Sequence, residues 1–105
     1  MLFKPEHIEM IREGRKTATR RDWEKKMVKV DGVYPCQTEM FQPKDECDVF
    51  IRVTDLYKQR LGEMTLLDAL KEGYYGFGDF KKAWIEINGW WDMNREVWVV
   101  EFQEV

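Results

Sequence analysis

Apolar and polar positions alternate most regularly between Cys47 and Tyr57. Val49, Ile51 and Val53 take one side there, and Phe50, Arg52 and Thr54 the other, a pattern that predicts a strand. A second alternation runs from Arg95 to Val105, with Trp98, Val100 and Phe102 on one side. Shorter strands are predicted at Leu2-Phe3, Met27–Val30 and Val33–Phe41. The last is interrupted by Pro35, which restricts it to a sheet edge or a bulge. Asp31-Gly32 marks a turn between the latter two. Helical spacing appears three times. Pro5 suits a first helical position, Ile8 and Ile11 lie three apart, and Gly14 suits a left-handed stop, which predicts a helix over 5–13. Thr65 resembles an N-cap, with Asp68 three residues on and a staple of Met64 and Ala69, and predicts a helix over 65–72 that stops at Gly73. Asp79 caps a third helix, whose Phe80, Ala83, Trp84 and Ile87 share one face and which Gly89 ends.

Most of the strands follow one another too closely for parallel crossovers. The expected fold class is therefore α+β: a small, mixed but mainly antiparallel β-barrel with about three flanking helices. A chain of 105 residues, 44% hydrophobic and 14% aromatic, fills one core and makes a single domain over 1–105. No apolar run approaches the roughly 20 residues of a membrane span, and Met1–Pro5 lacks the apolar stretch of a signal peptide. A soluble, cytoplasmic chain with no membrane partner is expected. Cys36 and Cys47 fit no zinc spacing and His7 is the only histidine, so no metal and no cofactor are expected, and the two thiols are expected reduced.

Charge changes the picture. The net charge is -3, yet residues 12–29 carry eight Lys or Arg against Glu13, Asp22 and Glu24. At the centre lies Gly14-Arg15-Lys16-Thr17-Ala18-Thr19-Arg20-Arg21, with four cations, two threonines and no large apolar side chain. On a regular strand Lys16, Ala18 and Arg20 point one way and Thr17, Thr19 and Arg21 the other. Such a strand can bind an anion or polarise a carbonyl; it can also be a solvated edge. A basic patch on an acidic chain points to a local anionic ligand rather than to binding along a duplex. Trp23, beside Lys25-Lys26, can stack on a base or cap the core. Tyr74-Tyr75-Gly76-Phe77-Gly78 can line a pocket for a flat ligand or form a turn with its aromatics tucked in. Glu72 sits at a helix C-terminus, where a carboxylate is electrostatically disfavoured, and a residue held against that preference is a candidate for a role. His7 is assigned none.

The string Gly14-x-Lys16-x-x-Thr19-x-Arg21 resembles the signature of the ASCH domain, a relative of the PUA domain of RNA-modifying proteins. Most ASCH proteins carry Glu where this chain has Thr19. A bacterial subset, the acetylcytidine amidohydrolases, carries Thr within Gly-Arg-Lys-Thr-x-Thr-x-Arg-Asp, and residues 14–22 are very similar to that string. Asp68–Gly73 looks like the family's Ala-x-x-Glu element, and Trp84 to Phe102 like its closing helix and strand. The stretch 74–91 is longer and richer in Trp and Tyr than in that subset and looks more like archaeal and phage ASCH proteins. The resemblance implies a PUA-like β-barrel with a cleft between barrel and helices, and a catalytic trio that falls on Lys16, Thr19 and Glu72.

Hydrolysis of an acetyl amide on a cytosine nucleoside needs a nucleophile, a base and support for an oxyanion. Thr19 would attack and Lys16 would take its proton as a neutral amine, although a free lysine titrates at roughly 10.4. Burial and the cations Arg15, Arg20 and Arg21 would push that down, while a charged Glu72 would hold the proton on. Glu72 would orient Lys16 or protonate the leaving amine. Because Lys16 and Thr19 are an odd number apart, the pair needs a bulge, a twist or a strand that begins after Lys16. The rival is a module that binds RNA or a modified nucleotide, with Arg15, Lys16, Arg20 and Arg21 on phosphates and Trp23, Tyr74 or Tyr75 stacked on bases. A third reading is an RNA-cleaving enzyme that uses Lys16 to activate a ribose hydroxyl. In the binding reading Arg20 and Arg21 are both open to removal without unfolding, with Arg21 the one that can instead be structural, paired to a carboxylate inside the domain.

Overall fold

The computed structural model describes residues 1–105. Its order is helix α1 (Pro5–Arg12), strands β1 (Ala18–Arg21), β2 (Val33–Pro35) and β3 (Phe50–Arg60), helices α2 (Leu66–Lys71) and α3 (Phe77–Asn88), and strand β4 (Glu96–Glu104). Single 3-10 turns occupy Lys44–Glu46 and Leu61–Glu63. The four strands make one antiparallel sheet in the order β1-β4-β3-β2. The sheet curls into a half-barrel, the PUA-like architecture expected. Its one parallel pairing is a bridge between Leu2 and Gln37, where Phe3 N donates to Gln37 O at 2.8 Å and Gln37 N to Met1 O at 2.7 Å. No helix is long and apolar enough to cross a membrane.

The alternation seen in β3 breaks where the strand does. Val53 pairs with Phe102 but Asp55 pairs with Glu101, so Thr54 is an extra residue. That bulge shifts the parity: Ile51 and Val53 face the barrel before it and Leu56 after it. The bulge lets one eleven-residue strand bend around the core. β4 is covered on both faces. Val100 and Phe102 join Phe3, Ile11, Ile51 and Val53 in the barrel core. Val97 joins Leu61, Met64, Ala69, Phe80 and Trp84 in a second core under α2 and α3.

Several expectations are corrected. Met27–Val30 forms no strand; only Val28 is buried, and Met27 and Val30 lie in solvent. The Asp31-Gly32 turn exists, with Gly32 N donating to Lys29 O, but it leads into β2 from an irregular segment. β2 stops at Pro35 rather than running to Phe41, and it is indeed an edge strand. β3 begins at Phe50 rather than Cys47 and runs three residues past Tyr57, to Arg60. α3 begins at Phe77 behind Gly76, two residues before the expected cap at Asp79. Helix α2, with Thr65 and Asp68 in a capping box, is as predicted. Cys36 and Cys47 are both free. Burial raises the Cys36 thiol to about 11, which leaves it uncharged and unreactive near neutral pH.

Candidate functional site

The site is built where the cation-rich segment meets the end of α2. Gly14, at φ 78°, closes α1: Gly14 N donates to Ile11 O and Arg15 N to Met10 O. The chain then reverses, and Thr17 N reaches Lys71 O at 2.8 Å. β1 begins only at Ala18, so Lys16 lies before the strand and its side chain is released from strand alternation.

α2 ends in the same kind of motif. Gly73 N donates to Leu70 O and Tyr74 N to Ala69 O, with Gly73 at φ 96°. A Cβ on Gly73 would stand 2.7 Å from Met10 Sδ and push that flexible side chain aside, but it is the φ of 96° that favours glycine here. This geometry turns Glu72 into the interior. Its main-chain carbonyl, left over at the helix end, accepts from Lys16 Nζ at 2.8 Å. Its carboxylate is shared: Oε1 lies 3.4 Å from Lys16 Nζ, and Oε2 accepts from Arg20 Nη1 at 2.9 Å. A carboxylate at a helix C-terminus is thus compensated by two buried cations.

Arg20 and Thr19 point to opposite faces of β1. Arg20 pairs with Val99 and faces α2, where its other nitrogen reaches Gln59 Oε1 at 2.7 Å and lies 3.6 Å from Asp68 Oδ2. Thr19 pairs with Val100 and faces the barrel. Its Oγ1 accepts from Arg21 Nε at 3.2 Å. Arg21 also donates to Leu2 O at 2.6 Å and lies 4.9 Å from the Phe3 ring, tying β1 to the N-terminal segment where no strand pairing exists.

Beside this cluster lies a cavity of about 440 Å³. Lys16, Thr19 and Glu72 line it together, with Arg20, Arg21, Trp23 and Tyr74. Arg15 and Tyr75 do not: Arg15 is exposed beside Glu13, and Tyr75 is 81% exposed. The structural role offered for Arg21, pairing with an internal carboxylate, falls instead to Arg20, which is 4% exposed and bound to Glu72. His7, given no part from sequence, also lines the cavity, 3.4 Å from the Tyr74 hydroxyl. Phe80, Trp84 and Asn88 of α3 were missed too; the apolar face of that helix read as core alone. Two buried donors in this wall, Arg20 Nε and Trp84 Nε1, have no protein partner.

Electrostatics follow from burial. Lys16 is 2% exposed, and loss of water pushes its ammonium below the usual lysine value. Glu72 opposes that shift by charge and hydrogen bond, while Arg21 and Arg20 add to it. His7 is lowered to about 4, first by burial and then by Lys16, so its imidazole is neutral near neutral pH. Tyr74 is raised to about 12 by burial and by Glu72. Cys, His, Asp and Glu form no cluster able to hold a metal ion.

No family model matches the chain in sequence, and no curated protein does. Solved structures do match in shape. Protein EF3133 from Enterococcus faecalis V583, of family DUF984, superposes with a TM-score of 0.65 at 17% identity over 93% of this chain and 66% of its own. The ASCH domain from Lactobacillus crispatus JV V101 gives 0.64 at 14% identity over 93% of this chain and 69% of its own. The chain has the ASCH-domain fold. Protein PH0355 gives 0.72 at 16% identity over 100% of this chain and 96% of its own. An ASCH fold of this length therefore spans about two thirds of the first two neighbours and nearly all of the third. The ASCH fold expected from residues 14–22 is the fold observed.

Proposed function

We propose that the cavity hydrolyses the acetyl amide of an acetylated cytosine nucleoside. One observation carries this reading: Lys16, Thr19 and Glu72, from two segments more than fifty residues apart, line a single cavity. Its volume, about 440 Å³, falls within the range of small-ligand pockets. Thr19 Oγ1 bonds to the acetyl carbon while the neutral Lys16 amine takes the hydroxyl proton. The negative charge passes to the acetyl carbonyl oxygen, and Arg21, whose guanidinium already reaches Thr19 Oγ1, steadies it there. Collapse breaks the C–N bond, and the proton passes from Lys16 to the departing exocyclic amine. Water then adds to the acetyl-Thr19 ester, acetate leaves, and Thr19 regains its proton. Glu72 orients the Lys16 amine throughout, by its carbonyl and its carboxylate.

A second reading is retention of an anionic nucleotide or RNA end without turnover. It is favoured by the excess of Lys4, Lys16, Arg20 and Arg21 over Asp22 and Glu72 in the cavity wall and by the flanking rings of Trp23 and Tyr74. Incubation with acetylcytidine and chromatography of released cytidine separates the two. Turnover by the parent, lost by about 10²–10⁴-fold in Lys16→Ala and Thr19→Ala, supports hydrolysis. Binding without turnover supports the second reading. Full activity in Thr19→Ala with loss in Lys16→Ala would make water the nucleophile.

A further inference from the structure

We propose that Arg20 is a positioning residue: it draws the charge of Glu72 away from Lys16 and leaves the Lys16 amine as the one group in the cluster free to shed its proton. The inference rests on the proposed chemistry for its purpose, but its geometry stands apart from any substrate. Glu72 makes its short contact to Arg20, 2.9 Å, and its long one to Lys16, 3.4 Å. The closest partner of Lys16 is a neutral carbonyl, at 2.8 Å.

A charge count gives the same answer. Around the Lys16 amine stand His7 from α1, Arg20 and Arg21 from β1, Glu72 at the end of α2 with Asp68 behind it, and Tyr74. His7, at about 4, and Tyr74, at about 12, are uncharged near neutral pH. Three cations, Lys16, Arg20 and Arg21, then face two carboxylates, Glu72 and Asp68. One cation is in excess, and a guanidinium does not give up its proton, so the excess resolves at Lys16. Without Arg20 the same cluster balances with Lys16 protonated. Asp22 and Lys4, which also line the cavity, do not alter the count, because Arg95 holds Asp22 at 2.9 Å and 3.3 Å and Lys4 is exposed to water.

The test is an NMR titration of the lysine Cε signals in ligand-free protein, with Lys16 assigned through Lys16→Arg. In the parent, Lys16 titrates below the other lysines. Arg20→Met raises that midpoint by about one pH unit, a tenfold smaller neutral fraction at a given pH below it. The acidic limb of kcat/KM moves with it. Arg20→Lys replaces the permanent guanidinium with a second amine that can shed the excess proton, so the Lys16 midpoint rises, though by less than in Arg20→Met. Asp68→Asn moves the midpoint down, because the cluster loses a negative charge while the hydrogen bond to Thr65 N survives on the amide oxygen. Opposite shifts from two neighbouring substitutions do not arise from loosened packing. If Arg20→Met does not fold, Arg20→Lys and Asp68→Asn decide the matter. A parent Lys16 that titrates with the other lysines overturns the proposal, as does a folded Arg20→Met with an unmoved midpoint or an Asp68→Asn midpoint that rises. A parent that shows these shifts yet turns over no acetylcytidine sinks the hydrolase reading and leaves the role of Arg20 standing.

Discussion

The two halves of the basic segment carry three cations each and meet opposite fates. From Lys16 to Arg21 the chain is stitched to α2 and to β4, and Lys16, Thr19 and Arg20 are all under 5% exposed. From Glu24 to Lys29 it forms no regular element, and Lys25, Lys26 and Lys29 stand in water. The first half has partners on another element that present a carboxylate and an orphan carbonyl; the second half has none. Cation density in a sequence therefore says little until tertiary structure supplies the anion. Buried, such charges are costly unless paired, and paired they become a site. Solvated, they set only the long-range field.

Removing the shared anion should break the buried half most severely. Glu72→Ala leaves Lys16 and Arg20 facing each other in the interior and should cost about 3–5 kcal/mol, a loss visible in chemical denaturation. Adjacent arginines sharpen the contrast within that half. Arg20→Ala should cost about 3 kcal/mol because Glu72 and Asp68 lose their buried partner. Arg21→Ala should cost about 1–2 kcal/mol, the worth of its bond to Leu2 O and its contact with Phe3. Equal losses on denaturation would mean the barrel seam matters as much as the ion cluster.

The cavity should also leave a pH signature. The pKa of His7 is lowered on folding, so the unfolded chain binds more protons between about pH 4 and 6.5. Stability should be complete above pH 6.5 and fall as pH drops towards 4. Because His7 is only about half buried, the loss should be of order 1 kcal/mol. Thermal melts between pH 4 and 7 should show that slope in the parent and a flatter one in His7→Gln. The smallest effect belongs to the solvated half: Lys25→Ala, Lys26→Ala and Lys29→Ala should each change stability by less than about 0.5 kcal/mol. If any of them also weakens nucleotide binding, and that binding depends steeply on salt, the exposed half extends the site rather than merely flanking it.

Local chemistry was legible where it is local. The capping box at Thr65, the glycine stops at Gly14 and Gly73, and the alternation of Val49, Ile51 and Val53 depend on neighbours within a few residues. Each stands in the structure as the pattern implies. The strand expected at Met27–Val30 failed because two apolar residues in alternation do not make a strand without an edge to pair with. His7 and Asn88 went unseen because each reads as ordinary helix surface until another element folds over it.

For the site, the sequence alone determined which side chains were available: a lysine, a threonine and arginines behind a glycine stop, and a glutamate at a helix end. That much follows from residue types and turn chemistry. Only the tertiary structure decided their partners. It began β1 after Lys16, so that Lys16 and Thr19 border one cavity despite their odd spacing. It also gave the carboxylate of Glu72 mainly to Arg20, and made Arg20 rather than Arg21 the internal ion-pair partner. The reason is physical: the energy of a charge depends on its distance from other charges and from water, and Lys16 and Arg20 meet Glu72 across more than fifty residues of chain.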